Sequence, residues 1–541
     1  MRRRGHGSIG AGALFSFVAV ALLASPGAVP AVSAGTPVAP RTAAYVPHEI
    51  LVRFRAGVDA SAANRLAAAG GAQTVERFPF VPGLELLRLR SAAEAVPTAV
   101  ASFAGLSQVR YAQPNWVSRI DVASETGGIT KTPNDPMYPS QWDWPKIDAP
   151  AAWNLTTGKK TVVVGDIDTG LDYNHVDIKA NAWQNKPECK GTPGVDDDGN
   201  GYVDDCHGID TINGDSNPMD DNNHGTHTGG TIGAVGNNKT GVTGLNWKVQ
   251  ILPCKSHDSQ GNGSVASIIA CYQYMVTEKA AGYDIIATNN SYGGCPEACD
   301  FDQATMDGIA AMGKAGILFA VAAANNASDN DLTPVYPANY FLPNVIAVAA
   351  TDSSDGLAGF SDYGIRTVMV GAPGVNVLST IRNNQYASFS GTSMATPHVA
   401  ALAALIHADE PSLNIYQIRN LIIAGGDDVS SLAGKTVSGK RINADGSLTC
   451  SGSKVFGLLR PLENESAGKL TVAALNIDCA APAAAVTVTI KPGNVTLKLA
   501  DKGKKGDLQA GDGIYSAFWN AAPGSYTLTF SNGKKYSVDV S

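Results

Sequence analysis

The hydrophobic pattern of residues 132–449 alternates short apolar segments with longer helix-like runs. The apolar segments have the length of buried strands and lie at residues 161–167, 249–253, 285–289, 317–323, 345–349 and 368–370. Strands that alternate with helices usually pair in parallel and are covered on both faces. The pattern therefore predicts an α/β domain in which a parallel sheet lies between two layers of helices.

A different pattern occurs on either side of this region. Residues 35–131 contain strand-like segments and one short helix, which predicts a small α+β unit. Beyond residue 450 the helix-like runs disappear, and alternating segments are separated by turns rich in glycine and aspartate. This last pattern predicts a small β-sandwich over residues 450–541.

The first 34 residues have the composition of a targeting segment. Met1–Arg4 is basic, Ala11–Ala24 is apolar, and small residues follow as far as Ala34. This order predicts a secretory signal peptide that is cut after Ala34. A membrane anchor is the alternative, but the apolar run is shorter than the ~20 residues that cross a bilayer. We therefore expect a secreted protein that has no membrane association once the signal is removed.

Composition narrows the function classes. The chain has 541 residues, of which 44% are hydrophobic and 16% charged, and this excludes a largely disordered chain. Its formal net charge of −8 disfavours nucleic acid as a partner, because nucleic-acid binders normally carry a basic surface. The charge is unevenly distributed, with +4 on residues 35–119 and −15 on residues 120–541. The eight cysteines form an even set, as expected for disulfides in an exported protein.

Three short motifs carry candidate catalytic residues. Asp168 follows the first predicted strand, where a carboxylate reaches the ligand-binding edge of a parallel sheet. His224 and His227 lie three residues apart in a segment rich in glycine and threonine, and they could alternatively be two metal ligands. Ser393 stands at the start of an apolar helix, where backbone N–H groups favour a developing anion. The order Asp, His, Ser is one of the known orders of the hydrolytic triad.

With these motifs, residues 134–448 resemble the subtilisin-like serine peptidases, most closely the thermitase type. The resemblance implies a monomeric endopeptidase that acts on polypeptides through an acyl-enzyme. It makes Ser393 the nucleophile, His224 its general base and Asp168 the carboxylate that orients the imidazole. His227 takes a structural role in this alignment.

The resemblance also implies an oxyanion hole. Residues 321–326 are similar to the family's Ala-Ala-Ala-Gly-Asn segment, which makes Asn326 the side-chain donor beside the Ser393 amide. Asn325 then occupies the position where the family usually has glycine. A shift of one residue in this loop would make Asn325 the donor instead.

Substrate-binding residues follow from the same resemblance. The segment Asn290–Gly294 matches the family's edge that pairs with an extended peptide, through Ser291, Gly293 and Gly294. Gly263 forms the facing edge. Val335 falls at the floor of the first specificity pocket, with Asn325 on its rim. A branched residue there predicts a smaller pocket that prefers medium apolar side chains to Phe or Tyr.

Two segments are predicted to bind structural Ca²⁺. In the first, side chains and one carbonyl at alternating positions have the spacing of a calcium loop, and they belong to Asp196, Asp198, Asn200, Tyr202 and Asp205. Asp204 is the alternative to Asp205, and a solvated acidic turn is the alternative to a metal site. The second site is implied by the resemblance alone and comprises the side chains of Asp135, Asp177 and Asn238 with the carbonyls of Gly236, Thr240 and Val242.

Cysteine proximity suggests four pairs, which are Cys189–Cys206, Cys254–Cys271, Cys295–Cys299 and Cys450–Cys479.

Asp166 departs from the family, which usually has an apolar residue there. Strand alternation places it on the same side of the strand as Asp168. Its partner is open at this point.

The arginine-rich block 35–131 resembles the inhibitory propeptide of the same family. Its end, Asn115-Trp116-Val117, is similar to the tail that such propeptides place in the active site. Opposite charges on the two parts favour their association. We expect self-cleavage between Ser118 and Thr132.

Two other functions compete with this interpretation. One is a catalytically silent, calcium-dependent surface-binding protein on a peptidase scaffold. The other is a metallohydrolase that uses His224 and His227, although the glutamate of a His-Glu-x-x-His helix is missing.

Overall fold

A computed structural model describes residues 45–78, 83–91, 95–116, 131–293 and 301–541. The chain divides into two compact units, Met1–Glu125 and Thr126–Ser541. The predicted signal peptide, the cleavage region after Trp116 and the Cys295–Cys299 pair lie outside the described residues. Within the described ranges, no helix has both the length and the apolarity that a bilayer crossing requires.

The first unit is an antiparallel sheet with two helices, which agrees with the predicted α+β class, although the pattern predicted only the first of the two helices. Its elements are β1 (Tyr45–Phe54), α1 (Ala60–Ala69), β2 (Ala72–Arg77), β3 (Leu84–Leu89), α2 (Val96–Ala104) and β4 (Val109–Trp116). The strand order is β2-β3-β1-β4. Asp59 caps α1 by accepting the Ala62 amide, and a core that includes Ile50, Leu87 and Phe103 lies between the sheet and the helices.

The second unit is built on a nine-stranded sheet. The strands of this region are β5 (Val162–Asp168), β6 (Ile209–Asp210), β7 (Gln250–Lys255), β8 (Asp284–Asn290), β9 (Leu318–Ala322), β10 (Val345–Thr351), β11 (Val370–Pro373), β12 (Val377–Ile381), β13 (Gln385–Phe389), β14 (Asp427–Asp428) and β15 (Lys440–Arg441). The sheet order is β14-β15-β11-β10-β9-β8-β5-β7-β6, while β12 and β13 form a separate hairpin. Every pairing in the sheet is parallel except β14 with β15.

Helices cover both faces of this sheet, which confirms the predicted α/β class. They are α3 (Asp143–Lys146), α4 (Ala149–Leu155), α5 (Lys186–Lys190), α6 (His224–Gly233), α7 (Val265–Ala280), α8 (Gln303–Lys314), α9 (Thr392–Asp409), α10 (Ile415–Ala424) and α11 (Ala444–Leu448). Successive residues of β5 alternate between two cores, because neighbouring side chains on a strand point to opposite faces. Val164 packs in the core that contains α9, whereas Val163 packs in the core formed with α7 and α8.

The remaining strands form the predicted sandwich. They are β16 (Lys454–Arg460), β17 (Asn464–Glu465), β18 (Gly468–Asp478), β19 (Ala481–Pro482), β20 (Thr487–Lys491), β21 (Val495–Lys498), β22 (Ile514–Ala521), β23 (Gly524–Phe530) and β24 (Lys535–Val540). One sheet contains β16, β18, β19 and β22, and the other has the order β17-β24-β23-β20-β21. Val472, Trp519 and Leu528 belong to the apolar core shared by the two sheets.

The sandwich also shares a core with the α/β region. Val472 and Ala474 of β18 belong to the sandwich core, whereas Ala473 and Leu475 pack in the core that includes Ile422 of α10. Both faces of β18 are therefore buried. The boundary near residue 450 separates two types of architecture, but it does not separate two independent cores.

A buried ion pair joins the same two parts. Arg419 on α10 is 2% exposed and lies 3.6 Å from the carboxylate of Asp512 (Nη1 to Oδ2), which is 1% exposed. Arg419 also donates to the Asp512 carbonyl, and the neighbouring Asn420 amide donates to that carbonyl at 3.1 Å. Burial raises the pKa of Asp512 to about 7, although the Arg419 charge opposes this. Removing one partner would leave the other charge buried and unpaired.

We predict that Arg419→Ala lowers the free energy of unfolding by about 3–5 kcal/mol, because Asp512 loses its cation. Denaturant unfolding followed by tryptophan fluorescence measures this. Arg382→Ala is the control, since the hydrogen bond from Arg382 to the Asp221 carbonyl is solvent-exposed, and it should cost below ~0.5 kcal/mol. Equal small losses in both variants would contradict the role given to the ion pair.

Candidate active site

A buried aspartate and a histidine meet at the carboxyl edge of the sheet. Asp168 is the last residue of β5 and is 3% exposed, and His224 is the first residue of α6. The His224 Nδ1 lies 2.7 Å from Asp168 Oδ1 and 2.9 Å from Oδ2. The Thr169 amide donates to Oδ1 as well. The carboxylate is thereby held against one nitrogen of the ring, and Nε2 is the nitrogen left to contact another group.

The contact between Asp168 and His224 shifts the pKa of both side chains. Burial disfavours the imidazolium, but the Asp168 charge and hydrogen bond outweigh this and raise the pKa of His224 above its ordinary value. Burial alone would raise the pKa of Asp168, yet the charge and hydrogen bond of His224 reverse this and lower it. His224 is therefore a stronger base than an isolated histidine.

Asp220 orders the loop that delivers His224, and sequence inspection missed it. Its buried carboxylate accepts the amides of Asn222, Asn223 and Thr226 at 2.8–3.2 Å. It also accepts the hydroxyl of Thr169, the residue next to Asp168. The available signal was an aspartate just before a helix, which is a common capping pattern.

Ser393 lies in the first turn of α9, where a helix leaves four amides without intrahelical partners. Its Oγ donates to the Ser291 carbonyl at 3.1 Å, and its own carbonyl accepts the Ser291 hydroxyl at 2.8 Å. Among the described contacts, Ser393 Oγ has no hydrogen bond to His224. The start of α9 is therefore fastened to the segment that follows β8, while α6 packs against α9.

The loop at residues 321–326 places Asn325, and not Asn326, beside the start of α9. The Asn325 Oδ1 accepts the Thr392 amide at 2.9 Å and the Thr392 hydroxyl at 3.1 Å. The Asn326 side chain instead contacts Asp362 at 3.3 Å. Ala324 has a φ of 93°, a conformation that favours glycine, so Ala324 corresponds to the motif's glycine. This geometry supports the shifted alignment, in which Asn325 follows the glycine-like position.

A cleft of about 640 Å³ begins at Asp168 and His224 and contains most of the predicted peptide-binding edges. Gly263, Ser291 and Gly293 line it, and Tyr336 and Tyr340 line it as well. A Cβ on Gly263 would lie 2.6 Å from the Ser256 carbonyl, so the close approach of this edge requires glycine. Gly294 lies outside the described residues.

Val335 is 7% exposed, and its amide donates to the Asn339 side chain at 3.1 Å. Within the described lining of the cleft, neither Val335 nor Asn325 takes part. The aromatic lining from Tyr336 and Tyr340 was not anticipated from the sequence. The predicted effect of Val335 on cleavage preference stays a prediction.

His227 is fully buried and does not form a metal site with His224 in this arrangement. Its Nε2 lies 3.0 Å from the Val377 carbonyl and 3.1 Å from the Ala387 carbonyl, and its ring stacks on Phe389. Burial lowers its pKa to about 3, so the ring is neutral at physiological pH. These contacts agree with the structural role that the resemblance implied.

The calcium ligands that the resemblance alone implied converge on one loop. Asp135 accepts the amides of Asn237 and Asn238 at 2.6 and 3.0 Å. Asp177, which is fully buried, accepts the Asn238 side-chain amide at 2.7 Å and the Val242 amide at 2.9 Å. Burial raises the pKa of Asp177 to about 6, and the nearby Asp135 charge adds to this. Gly236 and Thr240 belong to the same loop.

The predicted calcium loop at residues 196–205 is accompanied by more carboxylates than the sequence pattern indicated. Oxygens of Glu188, Asp196 and Asp198 lie within 4.8 Å of one another. The Asn200 amide contacts Asp198, Asp205 and the fully buried Glu278 of α7 at 3.0–3.4 Å. Among the residues that the structure describes, the Glu278 Oε2 has no hydrogen-bond partner, and burial raises the pKa of Glu278 to about 8. Tyr202 lies in the same loop, where its amide donates to Asn200.

Three disulfides occur among the described residues, and they are the predicted Cys189–Cys206, Cys254–Cys271 and Cys450–Cys479. The first closes the loop that carries Asp196 and Asp198. The second links β7 to α7. The third links Cys450, two residues after α11, to Cys479, the residue after β18.

Models of two protein families match separate parts of this chain. Residues 159–438 match the model of the subtilase family, and residues 33–115 match the model of the fervidolysin N-terminal prodomain. The thermophilic serine proteinase of Bacillus sp. (strain AK1) is 33% identical over 410 residues, which cover 75% of this chain and 88% of the relative.

Two other relatives extend the comparison. Thermitase of Thermoactinomyces vulgaris is 35% identical over 58% of this chain and 98% of its own length. Subtilisin-like protease 1 of Plasmodium berghei is 33% identical over 53% of this chain. The chain spans half of that Plasmodium relative and less than half of its counterparts in Plasmodium falciparum and Plasmodium vivax.

Proposed function

The chain belongs to the subtilase family, and we propose that it is a secreted serine endopeptidase made as a zymogen. The proposed catalytic residues are Asp168, His224 and Ser393. The observation that carries the proposal is the bond of His224 Nδ1 to the buried Asp168. This bond keeps the proton on Nδ1 and leaves Nε2 basic, which is the tautomer that serine activation requires.

The proposed reaction starts with rotation of the Ser393 hydroxyl from the Ser291 carbonyl towards His224. As Oγ attacks the scissile carbonyl, its proton passes to His224 Nε2 and the carbonyl oxygen becomes an oxyanion. The imidazolium, which Asp168 stabilises, then gives this proton to the leaving amine, and the C–N bond breaks. A water molecule repeats the sequence on the acyl-enzyme and releases the carboxylic acid. Because the pKa of His224 is raised, activity should decline at a higher pH on the acid side than an ordinary histidine would allow.

We propose Asn325 as the side-chain donor of the oxyanion hole, with the Ser393 amide as the backbone donor. The contact of Asn325 with Thr392 supports this assignment, since it brings the Asn325 amide to the start of α9. Asn326 was the donor in the alignment from sequence, and its contact with Asp362 directs it elsewhere.

Export and latency are further parts of the proposal. Three disulfides support an oxidising compartment. The prodomain match supports inhibition by the chain's own N-terminal unit before cleavage. The opposite charges of residues 35–119 and 120–541 favour association of the two parts. Polypeptides are the proposed substrates, and a monomer is the proposed form.

Structural Ca²⁺ is also proposed at both acidic loops. The donor sets are hard oxygen atoms from carboxylates, amides and carbonyls, which suit Ca²⁺. Asp135, Asp177 and Asn238 would hold one ion, and Asp196, Asp198, Asn200 and Asp205 would hold the other. Glu278 lies beside the second set, and its unpaired oxygen supports a cation there. The ions would neutralise buried charge and fix the loops, and the catalytic steps do not involve them.

We predict that Ser393→Ala abolishes labelling by a fluorophosphonate and leaves the precursor uncleaved, because the reagent and self-cleavage both need the nucleophile. Gel fluorescence and mass spectrometry measure the two effects. Ser390→Ala, in the same motif, is the control and should label like the wild type. Normal labelling or normal processing of Ser393→Ala would refute the assignment.

Asn325→Ala should lower kcat by about 10²–10³ with little change in KM, since it removes a donor that acts on the transition state. The matched variant Asn326→Ala should lower kcat less than tenfold, because it removes only the contact of Asn326 with Asp362. Steady-state kinetics on a peptide substrate compare the two. The reverse order of the effects would return the donor role to Asn326.

Chelation should lower the melting temperature by about 5 °C or more, because ions that bind only the folded state stabilise it by mass action. Differential scanning calorimetry with EDTA, and then with Ca²⁺ restored, measures this. Asp177→Asn should reduce the chelator-sensitive part, whereas Asp307→Asn on the exposed face of α8 should leave it unchanged. A melting temperature that is the same with and without chelator would exclude stabilising ions.

A further inference from the structure

Asp166 is a buried carboxyl group that the reaction above does not use. It lies on β5 two residues before Asp168 and is 1% exposed. Its side chain contacts two neighbouring elements. Asn289 of β8 lies 2.9 Å away (Nδ2 to Oδ1), and Thr228 of α6 lies 3.1 Å away (Oγ1 to Oδ2).

One branch of these contacts reaches the histidine helix. Thr228 lies one turn after His224, and its hydroxyl is also 3.0 Å from the Gly225 carbonyl. A Cβ on Gly229 would lie 3.4 Å from Asp166 Oδ2, so the helix approaches the carboxyl group closely. Asp166 therefore contacts the turn of α6 that follows His224.

The other branch reaches the serine helix. The Asn289 side chain lies 3.0 Å from Ser291 Oγ, and that hydroxyl lies 2.8 Å from the Ser393 carbonyl. In a regular helix this carbonyl would accept the amide four residues later, but that residue is Pro397, which has no N–H. The Ser393 carbonyl therefore lacks the usual donor four residues later, and the Ser291 hydroxyl donates to it instead.

The number of hydrogens available to these side chains indicates the protonation state of Asp166. Four contacts form a continuous hydrogen-bond network, and they join Ser393 to Ser291, Ser291 to Asn289, Asn289 to Asp166, and Asp166 to Thr228. With an ionised Asp166, Ser291, Asn289 and Thr228 each supply one hydrogen, so one contact has none. A protonated Asp166 supplies the fourth. The Gly225 carbonyl, which the Thr228 hydroxyl also approaches, does not enter the count, because it lies inside α6 and accepts the amide four residues later.

The fourth hydrogen needs a specific amide orientation. When Ser291 donates to the Ser393 carbonyl, the Asn289 NH₂ group donates to Ser291 and its oxygen faces Asp166. The amide can present either end, because its oxygen and nitrogen have nearly the same shape. Asp166 then donates to the Asn289 oxygen and accepts the Thr228 hydroxyl.

The electrostatic surroundings agree with this count. Burial first, and then the charge of Asp168 on the same strand, raise the pKa of Asp166 well above its ordinary value. With Asn289 Nδ2 turned towards Asp166, the hydrogen bonds from Asn289 and Thr228 and the charge of His224 on α6 oppose the shift without cancelling it. A second carboxylate beside Asp168 would also be repelled by it.

We propose that Asp166 is a protonated positioning residue that links the Ser393 carbonyl to the His224 helix through Ser291 and Asn289. The proposal rests on the proposed peptidase function. In this role Asp166 touches no substrate. It fixes the relative positions of the two helix starts, so that the serine and the imidazole meet in the reactive geometry.

Two substitutions separate positioning from simple packing. Asp166→Asn retains a donor and an acceptor but cannot ionise, so kcat should stay within about threefold of the wild type. Asp166→Val removes the carboxyl group that joins Asn289 to Thr228 and should lower kcat about tenfold or more, with KM changed less than about twofold. Asn344→Ala is the control for general damage, because Asn344 is equally buried but bonds carbonyls at Ile309 and Ile317.

The pH profile of kcat/KM tests the protonation state directly. If Asp166 is neutral, Asp166→Asn removes no charge, and the apparent pKa of the acid limb should stay within about 0.2 units of the wild type. A downward shift of about half a unit or more would show that an ionised Asp166 acts on His224 and would overturn the proposal. Unchanged kcat in Asp166→Val would overturn the positioning role.

A separate measurement tests the peptidase assignment. Fluorophosphonate labelling of the wild-type protein tests whether Ser393 is reactive at all, and it does not depend on any Asp166 variant. A reactive wild type with unaffected Asp166→Val refutes only the positioning role. An unreactive, processed wild type refutes the proposed function itself.

Discussion

Polar groups at the carboxyl edge of the central sheet lie in an apolar core, where each must find a partner or lose several kcal/mol. Asp168 satisfies this constraint by binding His224, and the same bond sets the tautomer of the imidazole. Asp220 satisfies it by accepting amides just before α6 and in its first turn. Asp166 satisfies it through Asn289 and Thr228. The folded arrangement and the proposed chemistry therefore depend on one requirement, which is the pairing of buried polar groups at this edge.

The strands and the motifs that contain Asp168, His224 and Ser393 could be identified in the sequence because their signals are local. Asp168 follows an apolar strand, and Ser393 precedes an apolar helix, so each motif contains its own structural context. The disulfides followed from short separations along the chain. The choice between Asn325 and Asn326 could not be made in this way. It depends on the backbone at Ala324, where a residue other than glycine adopts a positive φ.

Contacts between distant segments account for most of what the sequence did not show. Glu278 reaches Asn200 across 78 residues, and Asn289 reaches Asp166 across 123. Arg419 meets Asp512 in the same way and ties the sandwich to α10. None of these pairs has a motif, because the spacing of partners is set by the sheet order and by the packing of helices on it. Each pair nevertheless obeys the rule that a buried charge or amide requires a partner.

Trapping of the acyl-enzyme shows whether Ser393 is the nucleophile. The mature protein would be mixed with a peptide ester, quenched in acid within the first turnover and analysed by peptide mass spectrometry. The nucleophilic role of Ser393 predicts an acyl mass on the peptide that contains this residue, which disappears when the quench is delayed until the ester is consumed. An acyl mass on another residue, or rapid ester hydrolysis with no adduct at any quench time, would contradict it.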